Sequence, residues 1–201
     1  GYFVIRAGRK PSKKINFKSK NFLDYSKLDT QEDIIDLYLM KKCKYFIGTQ
    51  SGILDLAQLF YKPVLTTNMV EIYSKYPFKS NDRGIFKQVK RRGDLVKIND
   101  FVKLNFKYHN PTTQINDLTF IDNDEEEIYY SLIEFLKVQK NSSLSLKQKR
   151  FNNFLKKEHK KHYINTPYEM FTEYDSMKVV RLVKNNSGCL TNINLKKLKF
   201  K

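Results

Sequence analysis

The feature that most constrains this chain is an alternation of short apolar runs with two different periods between residues 30 and 68. Thr30 precedes Gln31-Glu32-Asp33, an N-cap followed by acidic residues, and Ile34, Leu37 and Tyr38 recur at helical spacing until Lys41 breaks the stripe. Cys43 to Ile47 is a compact β-prone run, and Gly48-Thr49-Gln50-Ser51-Gly52 is a turn of small residues. Ile53, Leu56, Ala57 and Phe60 mark one face of a second helix, which Lys62-Pro63 stops before a further strand over 63–68. Helix, strand, turn, helix, strand at this spacing predicts βα units around a parallel sheet, an α/β chain of Rossmann-like type with flanking helices.

The flanks extend that pattern. Residues 2–6 read as a short buried strand ending at Gly8, 9–20 as a basic solvated loop, and 22–25 as a second strand. Residues 69–84 are irregular, with a short strand expected over 84–89. Asp122 is placed to cap a helix running to Leu136, with Asp124 and Glu125-Glu126-Glu127 in its first turn. Asn141-Ser142-Ser143 reads as a linker, Leu146 to His162 as a lysine-rich helix with Phe151, Phe154 and Leu155 on one side, and 184–188 as a turn. The expected organisation is a Rossmann-like domain over 1–140 and a basic, helix-containing extension over 141–201.

Charge has to be divided before it is given a partner. The 201 residues carry 38 Lys+Arg against 21 Asp+Glu, a net +17, but +11 of this lies in residues 140–201. Lysine outnumbers arginine 31 to 7, which suits diffuse polyanion attraction better than bidentate base readout. No specific nucleic-acid partner is expected; solvated surface and peripheral contact with an anionic membrane both fit the basic tail. Cys43 and Cys189 are the only cysteines and lie far apart, which supports neither a disulfide framework nor a four-ligand zinc site. No run approaches the roughly 20 apolar residues of a spanning helix, and the start carries no signal-peptide pattern. A cytoplasmic location, at most peripheral to the inner membrane face, is the simplest expectation. The chain enters a strand directly at Gly1-Tyr2, from which a missing upstream domain is expected.

The chemistry-bearing segment is the turn Gly48 to Gly52. Glycines allow close backbone approach, Thr49 and Ser51 offer hydroxyls, and the following helix presents N–H groups and its positive dipole end. Such a turn at the carboxyl end of a parallel strand suits phosphate or diphosphate; an ordinary N-capped βα turn is the alternative. It is neither a P-loop nor a three-glycine dinucleotide fingerprint. His109, His159 and His162 fall outside the patterned segment and are expected to be solvated, and Asp33 and Asp36 to support a helix start. Asp-x-Asp and His/Cys ligand spacing are lacking, so no metal or other cofactor is expected.

Taken in order, Gly1-Tyr2-Phe3-Val4-Ile5-Arg6-Ala7-Gly8, then Asp33-Ile34-Ile35-Asp36 through Cys43-Lys44-Tyr45-Phe46-Ile47-Gly48-Thr49-Gln50-Ser51-Gly52, then Lys62-Pro63-Val64 and Asn68, resemble a bacterial glycosyltransferase family. Ala7 stands where methionine is common in that family, and the resemblance covers residues 1–90 well and the rest loosely. It implies the donor-binding, C-terminal half of a GT-B-type enzyme that transfers a sugar from a nucleotide-activated donor to a glycan or lipid-linked acceptor in surface polysaccharide synthesis. The donor site it implies comprises Arg6, Gly48, Thr49, Gln50, Ser51, Gly52, Asn68 and Lys87, with no catalytic residue singled out. Arg6 has a surface ion pair as its alternative reading, Lys87 a solvated lysine, and Asn68 the closure of a turn. A non-catalytic nucleotide- or polyanion-binding module, or an inactive fragment of such an enzyme, is the competing function.

Overall fold

A computed structural model describes residues 1–8, 15–28, 32–72, 76–104, 117–163 and 188–200. The chain divides into two compact units, Gly1–Lys44 and Tyr45–Lys201. The expected boundary at 140/141 is not where the division falls, because the C-terminal segment supplies a strand to the sheet of the second unit.

In the first unit, β1 (Val4–Arg6) pairs in parallel with β2 (Phe22–Asp24), and a 3-10 turn follows over Tyr25–Lys27. Helix α1 (Asp33–Lys42) has Asp33 and Asp36 in its first turn, and its N-cap position is the extended Glu32. Thr30, expected in that role, lies outside the described residues. The strand over 2–6 is present but not buried: Val4 is 53% and Ile5 38% exposed. The helix stripe is open as well, with Ile34 65% and Tyr38 59% exposed. Two strands of three residues hold too little apolar surface to cover a helix face.

The second unit is built on a parallel sheet in the order β3 (Phe46–Gly48), β4 (Val64–Met69), β5 (Arg83–Phe86) and β9 (Cys189–Leu190). Helix α2 (Gly52–Leu59) connects β3 to β4, and the register runs Phe46 to Val64, Leu65 to Arg83 and Arg83 to Cys189. β4 is buried at five of six positions, as a central parallel strand covered on both faces must be.

Residues 84–89, expected as one strand, are parts of two. Lys87 separates β5 from β6 (Gln88–Arg91), which joins β7 (Asp94–Val96) and β8 (Leu118–Ile121) in an antiparallel sheet. The turn between β6 and β7 holds Arg92 and Gly93 at positive φ (51° and 94°), the paired left-handed geometry of a tight hairpin, which costs Gly93 nothing and Arg92 a little. Helix α3 (Ile98–Lys103) follows, then α4 (Glu125–Val138) and α5 (Leu146–Tyr163), and the chain closes with α6 (Asn192–Lys197) after β9. The N-cap of α4 is Asp124, which accepts from the Glu127 N–H, rather than Asp122.

One core unites these pieces: Met69, Phe86, Val89, Phe101, Phe151, Leu155, Leu190, Leu195 and Phe200 are all buried in it. Phe151 and Phe200 meet edge to face at 4.9 Å. Helix α5 therefore packs its Phe151 and Leu155 side inward. His159 goes with that side at 7% exposure and is not solvated; His109 lies outside the described residues. The linker over 141–143 is also tied down. Arg83, fully buried, donates from Nη1 to the Ser80 and Asp82 carbonyls and from Nη2 to the Ser143 carbonyl, with Glu134 3.4 Å from its Nε.

The C-terminal segment is locked by polar groups. Asn194 Oδ1 accepts from the Phe86 N–H at 3.0 Å, and its Nδ2 donates to the Phe86 carbonyl at 2.9 Å and to Glu127 Oε1 at 2.6 Å. Asn123 Nδ2 donates to the same carbonyl and to Glu127 Oε2, which also receives Lys197 Nζ at 2.9 Å. Asn194→Ala should lower unfolding free energy in urea by about 2–4 kcal/mol, because it strands the Phe86 N–H and one face of a buried carboxylate.

Burial pushes the Cys189 thiol up to about 12. With a folded-state thiolate so disfavoured, Cys189 should react with a thiol reagent at pH 8 only after unfolding, which a denaturant-dependent thiol count checks. Hydrogen bonds from Ser26, Arg91 and Lys197 hold the Asp24, Asp117 and Asp124 carboxyls, in that order, below the ordinary carboxylate value of 3.8. Their contribution to stability is complete above that value and is lost as pH falls through the lowered ones, so an acid titration followed by far-UV ellipticity should show unfolding setting in below about pH 4.

Candidate functional site

The carboxyl edge of a parallel sheet is where strand ends, loops and helix N-termini converge, and seven of the eight expected site residues lie along it. Gly48 closes β3; Thr49, Gln50 and Ser51 form the turn; Gly52 opens α2. Asn68 is near the end of β4, and Lys87 follows β5 directly. Because β3, β4 and β5 are adjacent in the sheet, sequence positions up to 39 residues apart arrive at one edge. The eighth, Arg6, belongs to the other unit, where its Nη1 lies 3.2 Å from Asp24 Oδ2 at the end of β2.

Within this edge the residues divide by what already holds them. Gln50 acts as a staple: its Oε1 accepts from the Val70 and Glu71 N–H groups at 2.7 and 3.0 Å, and its Nε2 donates to the Glu71 carbonyl at 2.6 Å. Its amide thus ties the loop after β4 to the turn after β3. Asn68 adopts a positive φ of 50° and forms a reciprocal pair with Asn123, each backbone N–H donating to the other's side-chain oxygen at 2.7 and 2.8 Å. These bonds join the end of β4 to the segment before α4. The Gln50 amide is engaged through both its oxygen and its nitrogen, and the Asn68 side chain through its oxygen.

The turn itself is different. Thr49 is exposed, and Ser51 stands at the N-cap of α2 with extended backbone; its Oγ lies 3.4 Å from the Thr49 carbonyl and does not cap the helix. The two glycines are there for different reasons. A Cβ on Gly48 would stand 2.7 Å from the Phe46 ring, so packing demands that glycine. A Cβ on Gly52 would meet nothing within 4 Å. Gly52 also has no positive φ. Glycine costs roughly 1 kcal/mol against alanine within a helix, and nothing in the fold of the second unit demands it at this position. What it provides is room for something to approach the first turn of α2 closely.

Lys87 supplies the positive charge. Its backbone N–H donates to the Met69 carbonyl at 2.9 Å, and its Nζ lies 2.5 Å from Asp122 Oδ1. Asp122 is 72% exposed, so this is a surface ion pair of small strength that an anion of higher charge can replace. Asp122 and Asn123 are edge residues that sequence reasoning did not assign. No local pattern announces them, because their partners Lys87 and Asn68 lie 35 and 55 residues away. Among the described residues, no group of His, Cys, Asp and Glu is arranged to hold a metal ion, and no helix is long and apolar enough to cross a membrane.

Along this edge stand the N-terminal peptide groups of α2, the hydroxyls of Thr49 and Ser51 and the Lys87 ammonium, donor types that anion sites use. The Gln50 staple is testable separately. Gln50→Ala should cost about 1–3 kcal/mol in urea unfolding, since it leaves three backbone groups of the loop after β4 without their partner; hydrogen exchange at Val70 and Glu71 should accelerate selectively. No protein-family model, curated protein or solved structure matches this chain.

Proposed function

We propose that the second unit binds the diphosphate of a nucleotide-activated sugar at this carboxyl edge, and that the chain is the donor-binding part of a GT-B-type glycosyltransferase acting in surface polysaccharide synthesis. The observation that carries the reading is Gly52. It is a helix-opening glycine with open space at its Cβ position, behind an N-terminus that Ser51 does not cap. Motif order, resembling a glycosyltransferase family, adds to it; the parallel βα arrangement agrees with it.

The chemistry follows from where charge develops. Breaking the anomeric carbon–oxygen bond leaves the electron pair on the departing diphosphate. Donors already oriented toward that group lower the barrier, because they need not reorganise as the charge appears. Backbone N–H groups at Gly52 and Ile53, with the hydroxyls of Thr49 and Ser51, are suited to the phosphate oxygens, and the Lys87 ammonium supplies countercharge once it leaves Asp122. Gln50 and Asn68 act one step back, by holding the loops that carry these groups.

Calorimetric titration of nucleoside diphosphates against the chain tests this. Gly52→Ala should weaken binding at least tenfold while leaving the urea midpoint unchanged or slightly raised, since alanine is the better helix former. Asp122→Asn should tighten binding by up to about fivefold, the worth of one exposed ion pair, and Lys87→Gln should weaken it. Absence of binding, or binding that salt removes but Gly52→Ala and Ser51→Ala leave intact, overturns the donor-site reading.

A further inference from the structure

Helix α5 carries seven basic residues and one acidic residue, and the fold sorts them sharply. Its inner side, Gln148, Phe151, Asn152, Leu155, Glu158 and His159, is buried. Its outer side shows Lys149, Arg150, Asn153, Lys156, Lys157 and Lys161, all exposed. With 3.6 residues per turn these six occupy an arc of about 140° and a length of about 18 Å. The single acid, Glu158, is turned inward and meets Lys161 Nζ at 2.7 Å. Among the described residues no carboxylate lies within ion-pair distance of Lys149, Arg150, Lys156 or Lys157.

A lysine-rich composition alone does not produce this. On α4 of the same chain the outward positions are Glu125, Glu126, Tyr129, Tyr130 and Lys137, so solvent-facing helix surface here is not lysine by default. A stripe of unneutralised like charges along one helix raises the energy of the isolated protein through mutual repulsion. A polyanionic partner relieves that repulsion.

We infer that the outward face of α5 adsorbs to an anionic lipid bilayer surface. The stripe is straight and mostly lysine. Lysines are compact point charges that meet headgroup phosphates and carboxylates without the planar matching that base recognition uses. Among the described side chains of α5 no aromatic ring stands on this face for a nucleobase to stack on, since Phe151 is buried and Phe154 half-buried on the inner flank. Phe151 and Leu155 are held in the core and Phe154 packs against it, leaving Leu146 as the exposed apolar residue at the helix start, so adsorption is mainly electrostatic and therefore salt-sensitive. The inference is independent of the donor-site reading.

Sedimentation with phosphatidylcholine vesicles, with and without phosphatidylserine, tests it. Two variants of equal net charge are compared with the wild type: Lys149→Glu/Arg150→Glu/Lys156→Glu/Lys157→Glu on α5, and Lys18→Glu/Lys20→Glu/Lys41→Glu/Lys137→Glu on exposed positions elsewhere. The wild type should partition onto phosphatidylserine vesicles at about 0.1 M salt and leave them at about 1 M, where screening shortens to about 3 Å. The α5 variant should lose at least tenfold in partitioning and the other variant less than threefold, each cation near the surface being worth about fivefold. A four-site glutamine variant of α5 repeats the comparison if charge reversal prevents cooperative folding. Equal loss in both variants, no preference for phosphatidylserine, or tighter binding to duplex RNA than to vesicles at the same salt overturns the inference.

Discussion

The second unit depends on a carboxylate that has no water to solvate it. Glu127 is 2% exposed and is held by Asn123, Asn194 and Lys197. Desolvation works against the Lys197 ammonium, but hydrogen bonds to Asp124 and Glu127 outweigh it and raise its affinity for its proton. Two of these partners, Asn194 and Asn123, also bond the Phe86 main chain at the point where β5 leaves the sheet. A single buried charge thus joins the first turn of α4, the end of β5 and the C-terminal helix α6. Removing any one partner leaves groups in a medium where an unsatisfied charge is costly.

That network also determines what the carboxyl edge has to offer. Asn123 faces two ways: its side chain serves Phe86 and Glu127, while its backbone N–H and side-chain oxygen pair with Asn68. Gln50 repeats the logic on the other side of β4. With the Gln50 amide and the Asn68 oxygen engaged in holding loops, the edge also presents peptide N–H groups, hydroxyls and one lysine. These suit an anion better than a sugar ring or a base, and rigid support behind them is what electrostatic stabilisation requires.

Charge follows a similar division. The net +17 is not a uniform property of the chain. Along the carboxyl edge Lys87 is balanced by Asp122, whereas among the described residues of the outer arc of α5 Lys161 alone meets a carboxylate. One positively charged group matters through its position and the other set through its number.

Much of this was legible in order of sequence. The period-switching run from residue 31 to 68 specified α1, β3, α2 and β4 within a few residues, because hydrophobic spacing and the Gly and Pro stops are local signals. The small-residue turn located the edge, and the Phe151/Phe154/Leu155 side of α5 marked what would be buried. Sequence also placed Gln50 and Asn68 at the edge, but not their work there, since Val70, Glu71 and Asn123 become neighbours only when the sheet forms. Only the tertiary structure decided that the C-terminal segment returns as β9 beside β5, that Lys87 separates two sheets, that His159 is buried, and that the exposed lysines described on α5 share one outward face. These depend on long-range neighbours, as Arg83 beside Cys189 shows, and no local period encodes them. Local propensity wrote the elements; the burial of Glu127 and its partners determined how they meet.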